Sequence, residues 1–261
     1  MLNISGPQND LGLALQRELE LVSSGLALTP KLEQPSIKMP GSTFHYVAAR
    51  TQRPTAEEIR QEFAAWILAA GFRESIEAFQ QFLEGIHFVK AAQDFLGLSQ
   101  RSEGEIAVWL DGWKTSEARF HKLSLPGKLD ALAKESGLSL SEEYHASILS
   151  LQAARNCLVH RRGFVAGLDC SGGTHIAVKW RRPRIVLSGP TGTRETGLPT
   201  KAQAGEKMQM WFPIRDKEFP LGSRIHFTGE EFAEICFTLS SIASNLAGRV
   251  VPRGNESLAS P

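Results

Sequence analysis

The sequence predicts a mostly α-helical fold with a small antiparallel β-sheet inserted before the last helix. Three observations carry that prediction. From about residue 55 to 162 apolar side chains recur at spacings of three and four, from 167 the period switches to two, and from 229 to 250 one apolar stripe returns. With 261 residues, 42% hydrophobic and 22% charged, the chain suits a globular fold with one substantial core or two small ones.

Residues 1–55 read as an appended arm. Pro30, Pro35, Pro40, Gly41 and Pro54 interrupt it, and only "DLGLALQRELELVSSG" is periodic, with Leu11, Leu13, Leu15, Leu19 and Leu21 able to line a helix. Residues 56–166 form the helical core. Its first stretch sets Ile59, Phe63, Trp66 and Ile67 at helical spacing, carries Glu57 and Glu58 in its first turn, and is long enough for two or more helices in succession. "SEGEIAVWLDGWKTSEARF" and "LPGKLDALAKESG" continue the helical reading, the second stopped by Gly137. In "SLSEEYHASILSLQAARNCLVHRRG", Ser139 stands three positions before Glu142, the spacing of a capping box, and Gly163 ends the helix.

Residues 167–228 hold the small sheet. "THIAVKW" alternates, "RIVLSG" is rich in branched apolar residues, and "KMQMWFPIR" and "SRIHFTG" read as further short strands. Residues 188–206, rich in Gly, Thr and Pro, read as a flexible loop. Residues 229–250 form the C-terminal helix, whose Phe232, Ile235, Cys236, Leu239, Ile242 and Leu246 pack back on the core, and residues 251–261 form a polar, frayed tail.

Several function classes drop out. There is no basic stretch followed by an apolar run at the N-terminus and no run of about 18 apolar residues, so the expectation is a cytoplasmic protein with no membrane partner. Cys157, Cys170 and Cys236 are odd in number and lack a CxxC pair, which points to reduced thiols. Gly192 and Gly197 open like a phosphate-binding loop, but Leu198 and Pro199 stand where Lys and Ser or Thr are required. Cys157 and His160 have a spacing two metal ligands could share, yet no second pair completes a set, so neither a metal nor a cofactor is expected. His45, His87, His121, His145, His175 and His226 are scattered without local partners.

The net charge of +1 hides a split. Residues 151–228 carry thirteen Lys and Arg against five Asp and Glu, a balance of +8, leaving −7 elsewhere. That excess suits either a phosphate-bearing partner or a solvated face. Lys179, Arg181, Arg182 and Arg184 in the sheet, with Arg161 and Arg162 at the preceding helix end, are its candidate RNA contacts.

The densest cluster is "LQAARNCLVHRRG", residues 151–163. A guanidinium is a planar fork of donors suited to phosphate, and an imidazole exchanges a proton near neutral pH. Arg155 and His160, with Asn156 to orient them, are thus a minimal kit for cleaving RNA without metal, the 2′-hydroxyl serving as nucleophile. Five positions apart on a helix means a rotation of about 140°, so one chain does not set Arg155 beside His160. The competing reading is structural: an Arg and a His before a glycine can satisfy the last carbonyls of a helix with no chemistry.

"ARNCLVHRRG" resembles the signature of the HEPN superfamily, in which Arg, then a polar residue that is often Asn, precedes His by four to six intervening positions in an all-helical bundle. Here Arg155, Asn156 and His160 fill those places, with four residues between Arg155 and His160. The resemblance covers about 56–166 and omits the arm and the sheet. It implies a homodimer whose two motif helices form one composite cleft, and a metal-independent endoribonuclease of the toxin or phage-defence kind, with RNA as substrate and an antitoxin or regulatory protein as further partner. It implies equally a non-catalytic alternative, since some members serve as nucleic-acid-binding, dimerisation or scaffold modules.

Overall fold

The computed structural model describes residues 5–32, 55–96, 102–170, 172–190, 192–196 and 205–250. It is mostly α, with antiparallel β structure directly before the C-terminal helix.

Helix α1 (Ser5–Leu28) belongs to the core rather than to an appended arm, because Leu11, Leu15 and Val22, four and seven positions apart, bury one narrow stripe against two other helices. Leu13 and Leu21, on the other faces, are exposed. The next stretch is not two helices but one, α2 (Ala56–Leu96), of 41 residues. It holds no proline, and its internal glycines mark close helix approaches rather than breaks. At Gly71 an added Cβ would lie 2.5 Å from Val22 and 3.1 Å from Phe232, so the missing side chain lets α1 and the C-terminal helix reach α2 together.

Helix α3 (Glu103–His121) starts at a capping box of Ser102 and Glu105, and α4 (Leu125–Ser136) runs from the Ser124 cap to Gly137, whose φ of 67° provides the left-handed stop that the sequence predicts. Helix α5 (Glu142–Arg161) carries the motif. Its cap is Ser141, whose hydroxyl accepts from the Tyr144 amide, so the predicted Ser139–Glu142 box is not the one used. Ser141 is the last residue with extended backbone, and only an N-cap at that position can reach the amide three residues on.

The β region is split. Strand β1 (His175–Arg181) pairs with β5 (Ile214–Pro220), while β2 (Arg184–Gly189) lies between β3 (Gly192–Thr196) and β4 (Lys207–Trp211). Of the predicted flexible loop 188–206, the start completes β2 and 192–196 form the strand β3; 191, 197–204 and the predicted tail, 251–261, lie outside the described residues. "SRIHFTG" is no strand: Arg224 makes one isolated bridge to Phe164, since the chain has to turn at once into α6 (Gly229–Val250).

Strand β1 ties the β region to the bundle. Its inward residues Ile176, Val178 and Trp180 are buried against α5 and α6. Its outer edge is closed by hydroxyls, with the Lys179 amide donating to Ser150 (2.9 Å) and the Arg181 amide to Thr238 (2.9 Å), which removes the unpaired edge of a two-stranded ladder. Helix α6 is the amphipathic element that the sequence predicts, and all six named stripe residues are buried. Among the described residues no helix is long and apolar enough to cross a membrane.

Candidate active site

Helix α5 ends by a backbone device. Arg162 takes the left-handed conformation (φ 52°), and the Gly163 amide donates to the Cys157 carbonyl at 3.1 Å. The Cys157 thiol donates to the Phe164 carbonyl (3.2 Å), and burial, with Asp169 nearby, pushes that thiol up. Cys157 therefore faces the core while His160 is exposed, and the two do not share a face as metal ligands would. All three cysteines are buried and unpaired, and burial raises the Cys236 thiol to about 12.

His160 makes no hydrogen bond or ion pair with any described residue, so its ring takes no part in capping. Arg155 points the other way, toward α2, where Nη2 lies 3.6 Å from Glu77, and its buried Nε has no partner. Asn156 accepts from Gln152 through Oδ1 at 3.0 Å. No hydrogen bond or ion pair joins Arg155 to His160, as their rotation around the helix requires.

Most of the basic residues are already engaged. Arg161 holds Asp169 with both arms of its fork, Nε at 2.8 Å, and Asp169 also accepts from the Ala166 amide (2.9 Å), which locks the turn after α5. Lys179 lies 3.2 Å from Asp216, Arg181 2.5 Å from Glu143, Arg182 3.0 Å from Glu234 and Arg184 2.6 Å from Glu195. The predicted RNA contacts Arg161, Lys179, Arg181, Arg182 and Arg184 are thus each paired with a carboxylate of the same chain, and Glu143 and Glu234 bring part of the acidic balance from elsewhere to the excess of residues 151–228. Sequence counting could not see this, because Glu143 on α5 and Glu234 on α6 lie 38 and 52 positions from their arginines.

Arg162 is different. It has no carboxylate partner among the described residues and lines a cavity of about 590 Å³ between α2, the end of α5 and residues 224–227. Gly163 builds that meeting point. Its carbonyl accepts from the Ile225 amide (2.8 Å), and its φ of 83° turns the chain so that 163–165 lies against 222–225. An added Cβ would meet Leu158 at 3.2 Å and force a left-handed side-chain residue. Gly163→Ala is expected to lower stability by about 2 kcal/mol, read as the shift in a denaturant midpoint at unchanged slope.

Among the described residues no group of three His, Cys, Asp or Glu gathers as a metal would require. Comparison of the chain with protein-family models, curated proteins and solved structures finds no match in any of the three.

Proposed function

We propose that this chain is a homodimeric, metal-independent endoribonuclease of the HEPN kind. One observation carries the reading: the imidazole of His160 stands exposed and unpartnered at a helix end that Arg162 and Gly163 already cap through the backbone. Beyond its place in the last turn, where a cation suits the helix dipole, no hydrogen bond or ion pair with a described residue holds the ring. A second copy of α5 brought against the first would set His160 of one copy near Arg155 of the other, which removes the rotation of about 140° between them.

In that cleft His160 takes the proton from the 2′-hydroxyl, whose oxygen attacks the adjacent phosphorus. The second His160, protonated, gives a proton to the departing 5′-oxygen. Arg155 stabilises the charge on the equatorial oxygens, and Asn156 orients the phosphate. The products are a 2′,3′-cyclic phosphate and a 5′-hydroxyl end, so no water enters the first step. The setting proposed is cytoplasmic, with an antitoxin or other regulatory protein as the second partner.

A binding or scaffold role is the second reading, favoured by the 3.6 Å approach of Arg155 to Glu77, which ties a motif residue to α2. Incubating purified protein with single-stranded RNA and excess EDTA separates the two. The ribonuclease reading expects undiminished cleavage and 2′,3′-cyclic ends. Cleavage lost to EDTA, or 5′-phosphate ends, would contradict it, and absence of cleavage would favour the scaffold.

A further inference from the structure

The cavity beside Arg162 gathers cations and an exposed indole in one place. Three arginines line it from distant points of the chain: Arg73 of α2, Arg162 at the end of α5, and Arg224, whose guanidinium carbon also lies 5.8 Å from the centre of the Phe164 ring. His226 joins them, its Nδ1 within 3.1 Å of the Arg224 carbonyl. None of the three arginines has a carboxylate partner among the described residues, and no acidic side chain lines the space. This is the reverse of the β region, where each named cation is matched. Arg73 Nε is also buried without a hydrogen-bond partner, a group that costs free energy unless something polar reaches it.

The rest of the lining is largely apolar. It comes from the alanine-rich turns of α2 around Trp66, the same helix that carries Arg73, and from Phe227. The sequence pattern sets Trp66 on the apolar stripe of α2, but the indole is 60% exposed and stacks on Phe63 at 6.1 Å with an interplanar angle of 18°. A large exposed aromatic next to an unmatched cationic cluster needs a reason, and core packing does not supply one.

We propose that this cavity is a nucleotide-binding site: Arg162, Arg224 and Arg73 hold a phosphate, and Trp66 stacks the base. Guanidinium forks favour phosphate, whose oxygens accept several paired donors. A flat indole favours a ring over an alkyl chain, which would need an enclosed apolar tunnel. The volume of about 590 Å³ lies within the range of small-molecule sites. The carbonyl end of α5 opposes an anion with roughly half a charge, against three whole charges of the opposite sign. Free nucleotides and single nucleotides of an RNA strand share this chemistry. The site does not require His160 to be catalytic, although Val159 and Arg162 place it alongside the motif helix.

The test uses the full chain carrying His160→Ala, so that cleavage does not consume the ligand. Calorimetric titrations with AMP, adenosine, inorganic phosphate and an RNA octamer are compared for this chain and for the same chain with Trp66→Ala, Arg162→Ala or Arg224→Ala added. AMP is expected to bind at least tenfold more tightly than phosphate or adenosine, and each added substitution to weaken it about tenfold or more. Binding of the octamer but not of AMP assigns the site to a strand, and binding of AMP alone assigns it to a free nucleotide. Equal binding by parent and variants, binding of AMP that is no tighter than that of phosphate, or no binding of either AMP or octamer overturns the proposal. All three substituted side chains have exposed surface, and circular dichroism with an unchanged Tm verifies the fold. Since this readout is binding in a cleavage-deficient chain, its failure leaves the EDTA and end-group result of the ribonuclease reading unaffected.

Discussion

If the chain is the ribonuclease proposed, replacing His160 by Ala is expected to lower RNA cleavage by about a hundredfold or more, the range for losing a general base, while folding stability stays within about 0.5 kcal/mol of the parent. Both halves of that expectation follow from the same geometry. The ring is exposed and bonded to nothing among the described residues, so removing it costs the fold little. The end of α5 remains closed by Arg162 and Gly163. A side-chain cap would give the opposite pattern, a fall in stability with no activity to lose. Single-turnover cleavage and chemical denaturation of the same preparation decide between them.

The largest effect on stability is expected far from the motif, at Glu234. Its side chain is 6% exposed, and it accepts from the buried Trp180 Nε1 (2.7 Å) while pairing with Arg182 (3.0 Å) and Arg215 (3.3 Å). The neighbouring Glu231 pairs with Arg215 (2.9 Å) and Lys217 (2.8 Å). These two carboxylates fasten α6 to β1 and β5. Glu234→Ala strands one buried donor and two cations, and is expected to cost about 3 kcal/mol, or roughly 6–12 °C in Tm. Glu234→Gln keeps an acceptor for the indole and should cost distinctly less. Burial pushes the Glu231 carboxyl up, but Lys217, the Thr228 amide and Arg215 together outweigh it and hold the group below the usual carboxylate range. Its folded value is therefore depressed. The stability it contributes is present above the ordinary carboxylate pKa and is lost as pH falls toward its lowered native value. Thermal melts from pH 7 down to 3 should show that loss, and Glu231→Gln should remove part of it.

Periodicity carried the fold well where a single stripe or a single backbone conformation decided the element. Helix α6 and the stop at Gly137 were legible residue by residue, because each depends on local spacing or on one backbone conformation. The arm was misread for a physical reason. Pro30, Pro35, Pro40 and Pro54 lie after α1 and Pro7 lies in its first turn, where a proline is tolerated, and the three buried residues of α1 make sense only once α2 and α6 are present to cover them. The division of the β region and the loss of "SRIHFTG" as a strand likewise depend on tertiary pairing, which alternation alone does not specify. At the candidate site, the opposed directions of Arg155 and His160 were readable from helical rotation. The convergence of Arg73, Arg162 and Arg224 was not, since it is made by the turn at Gly163 and by contacts between segments more than 60 positions apart.

The composite cleft is the central claim, and complementation tests it most directly. Arg155→Ala and His160→Ala chains are prepared separately, each inactive, then mixed under conditions that allow subunits to exchange. A cleft built from two chains predicts cleavage clearly above that of either component, because a mixed dimer holds one intact Arg155 facing one intact His160 as base, and below that of the parent, because the second His160 that serves as acid is missing. A mixture that stays as inactive as its components, although exchange is verified by mass, would contradict the account.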